Sequence, residues 1–537
     1  MRTFTKMVPW PAGLMSSELQ ARPWDREIRF LPFPESFVLI HQLFHELAAN
    51  DFLIPQKQWL HAAEIVALAK FIILEGTALE IPHYDLVPPL NSYKTLWRVA
   101  EEATAGPAHE SEGGLFMFRL LYQQLPFMIY QGRISQFLSR TQRMFTCKFE
   151  FEGAQGTLEQ DLMALTGVGL TDFLSAVQII FRAFKKSPDL ERAALVRHVP
   201  RGIAIPLEQV LDFFSASRKV FSDICRTYES SDVNQKPYEF NPLMRYPIIN
   251  HRGTLWAPYP EMIIHAASSY GLFFAMGATL GEKAKGRFGK AVEAFVASVA
   301  RTRLPDSMIL TEEEERSAGW AGKTNDITLL VQDAAILIEC KVSMLYSASK
   351  KTGSFHEIIA DLRKNIANPK PKDRSGIYQL HSKVEAIRNG SLPEPLKLRY
   401  KNVRRIFPVI LVHDQVKHAN AAVILGALLN EELQRNDVQP FPFQIWHLDE
   451  FEDLLSFVRA ESLVETVTEK FVDKRFREWD LDTFLHEKTG LPQLIPHLFV
   501  PEGQEGLYKR LCELSEKQKR EYRPGPIIEV NGPYGSR

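Results

Sequence analysis

The clearest structural signal in this chain is the segment NDITLLV (325–331), followed by QD (332–333) and AAILIECK (334–341). Two arms rich in apolar and β-branched residues around a polar break predict a β-hairpin. Alternate residues of a strand share a face, so Glu339 and Lys341 point to the same side. An antiparallel hairpin also brings Asp326 alongside Glu339. Two carboxylates beside an ammonium are suited to hold a divalent cation next to a phosphate or water oxygen.

This hairpin resembles the active centre of the PD-(D/E)XK nucleases, the restriction-endonuclease-like superfamily. The match consists of Asp326, a gap of twelve residues and then Glu339-Cys340-Lys341, with Asn325 in place of the proline that gives the family its name. The resemblance implies an αβββαβ core with a mixed central sheet. It also implies Mg²⁺ or Mn²⁺ held by Asp326, Glu339 and the backbone carbonyl of Cys340. Lys341 would either stabilise charge on phosphorus or act as a base, and the sequence leaves both roles open.

Two further residues are candidates through the same resemblance. Periodic apolar residues predict a helix from Phe288 to Arg301, and this segment resembles the first core helix of the superfamily. Its acid, Glu293, would reach the metal or an adjacent water, the alternative being a solvated surface acid. Gln379, on a helix predicted over 377–387, resembles a glutamine of the second core helix that helps to fix substrate or the catalytic lysine. An ordinary surface glutamine is the alternative.

The elements between and beyond these helices complete the predicted core. Strands are expected at 308–310, 406–412 and 443–446, and helices at 448–458 and from 461 onward. The acidic run from Glu312 to Glu315 is expected to be a solvated loop.

The length of 537 residues and the change of sequence pattern along the chain suggest several domains in an α/β (α+β) protein. Residues 1–240 are predicted to be a largely helical domain for sensing, recognition or oligomerisation, with one continuous helix over 207–228. Residues 241–280 form a connecting hairpin, turning at Arg252-Gly253, and a helix. Residues 281–460 form the nuclease-like domain, and 461–537 a helical extension with a tail.

Charge and cysteine usage bear on partners and location. The formal net charge is −1, yet residues 341–405 hold 15 Lys or Arg against 5 Asp or Glu, which favours a local path for a phosphate backbone. The four cysteines form no CxxC pair, and no strongly apolar run reaches the roughly 20 residues of a membrane span. We therefore expect a cytoplasmic protein without membrane contact.

The function expected from this pattern is that of a Mg²⁺-dependent endonuclease that hydrolyses phosphodiester bonds, with DNA as the expected partner. A helical sensor fused to such a core suggests bacterial anti-phage defence, by analogy of architecture alone. The alternatives are an inactive nucleic-acid-binding protein on the same fold and a regulatory protein. A homo-oligomer or a partner bound through residues 1–240 is also left open.

Overall fold

The computed structural model describes residues 134–197, 205–227, 241–322, 324–343, 376–413, 441–473 and 481–489, with short stretches inside 32–41, 69–78, 360–367, 429–438 and 475–476. Within these residues the chain is an α+β protein, mostly helical and with mixed β-sheets, which confirms the predicted class. The helices predicted before residue 134 lie outside the main described ranges.

The described elements alternate between helices and short strands. The helices are α1 Ile134–Thr146, α2 Glu159–Thr166, α3 Leu170–Phe184, α4 Arg192–Arg197, α5 Leu207–Phe214, α6 Arg218–Thr227, α7 Glu261–Ala267, α8 Ser269–Leu280, α9 Glu282–Arg301, α10 Glu312–Ser317, α11 Ile377–Arg388, α12 Glu394–Tyr400, α13 Leu448–Phe457, α14 Ala460–Val472 and α15 Leu481–Thr489. The strands are β1 Pro32–Phe33, β2 Thr77–Ala78, β3 Phe149–Phe151, β4 Ala154–Gly156, β5 Asp189–Glu191, β6 Ser215–Ser217, β7 Ile248–His251, β8 Thr254–Trp256, β9 Ile309–Thr311, β10 Ile327–Val331, β11 Ala334–Lys341, β12 Arg405–Val412 and β13 Gln444–His447.

The predicted hairpin is confirmed as β10 and β11, which pair antiparallel with Ile327 opposite Ile338. Its two-residue turn places Gln332 at φ 53°, the left-handed backbone that tight hairpin turns require. The hairpin lies within a five-stranded sheet of order β13-β12-β11-β10-β9. Strands β9, β10 and β11 are antiparallel neighbours, whereas β11, β12 and β13 run parallel.

Both faces of this sheet are covered by helices. On one face, Phe288, Val292 and Phe295 of α9 belong to the same buried cluster as Ile336 and Ile338 of β11. On the other face, a second buried cluster joins strand residues such as Leu337 to the side chains of α11 and α12. Double-sided burial explains why β11 and β12 have long apolar runs instead of strict alternation.

The chain order around the sheet is α9, β9, β10, β11, α11 and β12, followed by β13. Helix α9 begins at Glu282, earlier than the predicted start at Phe288, and α11 spans Ile377–Arg388. The parallel step from β11 to β12 needs a crossover connection, and α11 lies within it.

A four-stranded sheet of order β5-β8-β7-β6 joins residues on the two sides of the predicted boundary at 240. The predicted hairpin is present as β7 and β8, and its turn has Arg252 at φ 52° and Gly253 at φ 86°. Strand β6 pairs with β7, and β5 pairs with β8. The continuous helix predicted over 207–228 is wrong, because β6 interrupts it between α5 and α6.

No single helix among the described residues has both the length and the hydropathy to cross a membrane. Two bent pairs, α2 with α3 and α7 with α8, pass that test of length and composition only when taken together.

Candidate metal centre

Three carboxylate residues lie in a row across neighbouring strands of the central sheet. Thr311 is opposite Ile327, and Ile327 is opposite Ile338. One residue further along this register, Glu312 and Glu339 flank Asp326 on its two sides. The Glu312 amide donates to the Asp326 carbonyl oxygen over 2.9 Å, and the Cys340 amide donates to Asp326 Oδ2 over 2.6 Å.

Helix α9 brings a fourth carboxylate to this row. Carboxylate oxygens of Glu293, Glu312 and Asp326 all lie within 4.8 Å of one another, close enough to share one metal ion. Helix α9 is held against the sheet by buried side chains that include Phe288, Val292 and Phe295. Glu293 is thus part of the site and not an isolated surface acid.

Glu312 is the site residue that sequence reasoning missed. The acidic run was expected to be a solvated loop, but it forms helix α10, whose start is fixed by a capping box between Thr311 and Glu314. The side chain of Glu312 is half-buried, and Glu315 is fully buried. The place of Glu312 in the site follows from the pairing of β9 with β10, which the acidic run by itself does not reveal.

Two lysines enter the same cluster. Lys341 Nζ donates to Glu339 Oε1 over 2.6 Å. Lys290 Nζ donates to Glu293 Oε2 over 2.7 Å and lies 3.5 Å from Glu312 Oε2. Burial works against both charges, but the nearby carboxylates outweigh it and raise the pKa of both lysines above the ordinary value. Both side chains are therefore ammonium ions in this geometry.

The pKa of the carboxylates is raised as well, but for an acid this favours the neutral form. Burial, with the neighbouring charge of Asp326, raises the pKa of Glu293 to about 8 and that of Glu339 to about 8. Burial also raises the pKa of Asp326. Four carboxylates face two ammonium groups, so full ionisation leaves two negative charges, the number that one divalent cation neutralises.

The donor atoms fit a hard divalent cation. The cluster offers carboxylate oxygens, which suit Mg²⁺ and Mn²⁺ better than softer metals. Glu339 Oε2 is buried without a hydrogen-bond partner among the described residues, although buried polar atoms are nearly always paired. A cation at this oxygen would remove that deficit.

The ligand set differs from the one expected from the sequence. Glu293 and Asp326 are joined by Glu312 instead of Glu339 in the tight group, and Glu339 stands beside it, paired with Lys341. At Cys340 the observed contact is the N–H that holds Asp326, so metal binding by the Cys340 carbonyl stays a prediction.

Gln379 lies behind the site and supports its backbone. Its Nε2 donates to the Thr324 carbonyl over 3.1 Å, two residues before Asp326, and its Oε1 accepts from the Gly376 amide. The described contacts of Gln379 thus involve backbone groups and not Lys341. Gln379 therefore positions the chain that leads to Asp326.

The predicted basic path is described only in part, because most of residues 344–375 lie outside the described ranges. Among the residues that are described, Lys397 pairs with Glu394, and Arg405 pairs with Asp333. Lys383 is fully buried against Glu315. These three cations are already neutralised within the chain.

No family model, curated protein or solved structure matches this chain.

Proposed function

We propose that this protein is a metal-dependent nuclease built on a restriction-endonuclease-like core of the PD-(D/E)XK type, with DNA as its substrate. The observation that carries the proposal is the row of Glu312, Asp326 and Glu339 at one level of the sheet, with Glu293 and Lys341 beside it. The element order from α9 to β12 and the mixed sheet support the same assignment.

Glu293, Glu312 and Asp326 would hold Mg²⁺ or Mn²⁺, with Glu339 as a further oxygen donor. The chemistry that such an ion would supply is polarisation of a phosphate oxygen and a lowered pKa of an attacking water. Without a metal ion, the carboxylates of Glu339 and Asp326 outweigh burial and raise the pKa of Lys341, and its Nζ is paired with Glu339 Oε1. This favours stabilisation of charge on the phosphoryl group over a role as general base. The ion pair of Lys341 with Glu339 fixes where the ammonium stands, and the Cys340 amide fixes the Asp326 carboxylate.

The test is cleavage of circular and linear DNA, single- and double-stranded, and of RNA by the full chain with Mn²⁺, Mg²⁺ or EDTA. Asp326→Asn removes a proposed metal ligand, and Lys341→Met removes the cation beside the phosphate. We expect each to lower the cleavage rate by roughly 10²–10³-fold, the size of effect found for single groups that stabilise developing charge. Only Asp326→Asn should also weaken Mn²⁺ binding.

Asp333→Asn is the matched control, because Asp333 lies at the turn of the same hairpin and pairs with Arg405 there. It should cleave like the wild type. Cleavage that survives in Asp326→Asn would contradict the proposal. Nucleic-acid binding that is indifferent to EDTA and never leads to cleavage would instead indicate the inactive binding protein.

A further inference from the structure

Lys290 occupies an unusual position for a helix-surface lysine. It lies one turn before Glu293 on α9, and its ammonium contacts two of the three clustered carboxylates, those of Glu293 and Glu312. Its side chain is 36% exposed, against 18% for that of Lys341. Lys290 therefore bridges the carboxylate cluster and the solvent.

The contacts of Lys290 fall on carboxylates that a metal ion would use. Both contacted atoms are Oε2 atoms, one from Glu293 and one from Glu312, and both residues belong to the group that can surround one ion. An ammonium has three donors and no acceptor, so it satisfies these oxygens but cannot bind a metal. A divalent cation at the cluster would compete with it for the same two carboxylate groups and repel it.

The Lys290 side chain can adopt a position away from the carboxylates. Its four-carbon stem is flexible, and part of the side chain faces solvent. Once a cation neutralises Glu293 and Glu312, the phosphate backbone of a bound nucleic acid would offer Lys290 a strong countercharge.

We propose that Lys290 is a second lysine of this centre, which exchanges its carboxylate contacts for a substrate phosphate when a divalent cation binds. This inference rests on the proposed nuclease function. Such an exchange makes metal binding and nucleic-acid binding cooperative, because the metal ion displaces the Lys290 ammonium from the carboxylates and the ammonium then binds a phosphate.

The first measurement is Mn²⁺ binding by titration calorimetry to the full-length chain and to Lys290→Met. Removal of the competing ammonium should tighten Mn²⁺ binding by about tenfold or more. Lys290→Arg keeps the charge and should stay near the wild type. Lys285→Met is the control on the same helix, because Lys285 pairs with the exposed Glu282 and should leave Mn²⁺ affinity unchanged.

The second measurement is nucleic-acid affinity in the Lys341→Met background, where binding is followed with cleavage suppressed. With Mn²⁺, adding Lys290→Met should weaken binding and reduce the salt slope by about one phosphate contact. In EDTA the same substitution should change affinity little, because Lys290 is then held by Glu293 and Glu312.

Each result bears on a different statement. Unchanged or weaker Mn²⁺ binding in Lys290→Met would overturn the competition, and nucleic-acid affinity unaffected by Lys290→Met in Mn²⁺ would overturn the exchange. If the wild-type chain itself bound no Mn²⁺, the nuclease proposal would fail, and this inference with it.

Discussion

Two clusters of acid and lysine side chains lie within one helical turn of each other and differ in how completely they are satisfied. Helix α10 supplies an acid to both: Glu312 to the candidate metal centre and Glu315 to a buried network with Lys383 and Tyr400. Both clusters contain carboxylate and ammonium groups packed against the same sheet. They differ in whether every carboxylate oxygen has a hydrogen-bond donor.

In the buried network both carboxylate oxygens of Glu315 have donors. Glu315 Oε1 accepts from the Tyr400 hydroxyl over 2.6 Å, and Oε2 accepts from Lys383 Nζ over 2.7 Å. The Thr324 hydroxyl also donates to Glu315. The ammonium of Lys383 lies 4.4 Å from the centre of the Trp320 ring. Burial lowers the pKa of Lys383 despite its pairing with Glu315.

The candidate metal centre, in contrast, holds more carboxylates than ammonium groups. Glu339 Oε2 has no partner among the described residues, and the pKa of both Glu293 and Glu339 is raised to about 8. A carboxylate whose oxygens all have donors indicates a structural role. Carboxylates crowded together with an oxygen left over indicate a ligand-binding role.

The largest effect expected from this contrast is on the free energy of unfolding. Lys383→Met leaves Glu315 as a buried, unpaired charge and should lower the free energy of unfolding by about 3–5 kcal/mol. Denaturant unfolding measures it. Lys397→Met, which breaks an exposed pair with Glu394 on the neighbouring helix, should cost no more than about 1 kcal/mol.

A second variant separates charge from packing in the same network. The double change Glu315→Gln with Lys383→Met removes both charges but keeps a hydrogen-bonding side chain at position 315, and should recover much of the loss. If the two single substitutions at 383 and 397 cost the same, the distinction between the buried network and an ordinary ion pair would fail.

The next effect is on the pH dependence of stability. Because the pKa values of Glu293 and Glu339 in the folded protein, about 8, exceed the ordinary 4.5, the folded chain holds protons that the unfolded chain releases. Without divalent ions, the free energy of unfolding should therefore fall by a few kcal/mol as the pH rises from about 4.5 to about 8. Saturating Mg²⁺ or Mn²⁺ should reduce this fall, as bound metal replaces the protons.

Thermal unfolding at pH 5, 6, 7 and 8, with Mn²⁺ or with EDTA, measures both trends. Glu293→Gln cannot lose a proton and should flatten the EDTA profile. A profile that is the same in the variant and the wild type would show that Glu293 does not carry this linkage.

The hairpin could be predicted because its information is local. The alternation and the polar break within 325–341 define both strands, and the register of a two-residue turn then sets Asp326 opposite Glu339. Helix α9, which carries Glu293, and strand β12 are likewise indicated by the spacing of their own apolar residues. These are the parts of the fold and site that the sequence predicts well.

The roles of Glu312 and Glu315 could not be predicted, because they depend on distant partners. Glu315 is buried only because Lys383 and Tyr400, 68 and 85 residues away, satisfy its oxygens. Glu312 belongs to the site only because β9 pairs with β10 at one register, which an acidic run does not reveal. Likewise, nothing local indicates that Gln379 binds the Thr324 carbonyl.

The smallest effect tests this missed residue directly. Glu312→Gln keeps the shape of the side chain but removes its charge from the metal centre, so Mn²⁺ affinity should fall by at least roughly tenfold, the effect of losing even an outer partner of a metal ligand. Glu313→Gln, one residue further along and exposed, is the matched control and should bind Mn²⁺ like the wild type. Both variants lose one negative charge from the same helical turn, so a general electrostatic effect would weaken them equally. A direct contact between Glu312 and the ion would instead lower the Mn²⁺ affinity of Glu312→Gln alone. Calorimetric titration of both variants at one ionic strength decides between a direct contact and a general electrostatic effect.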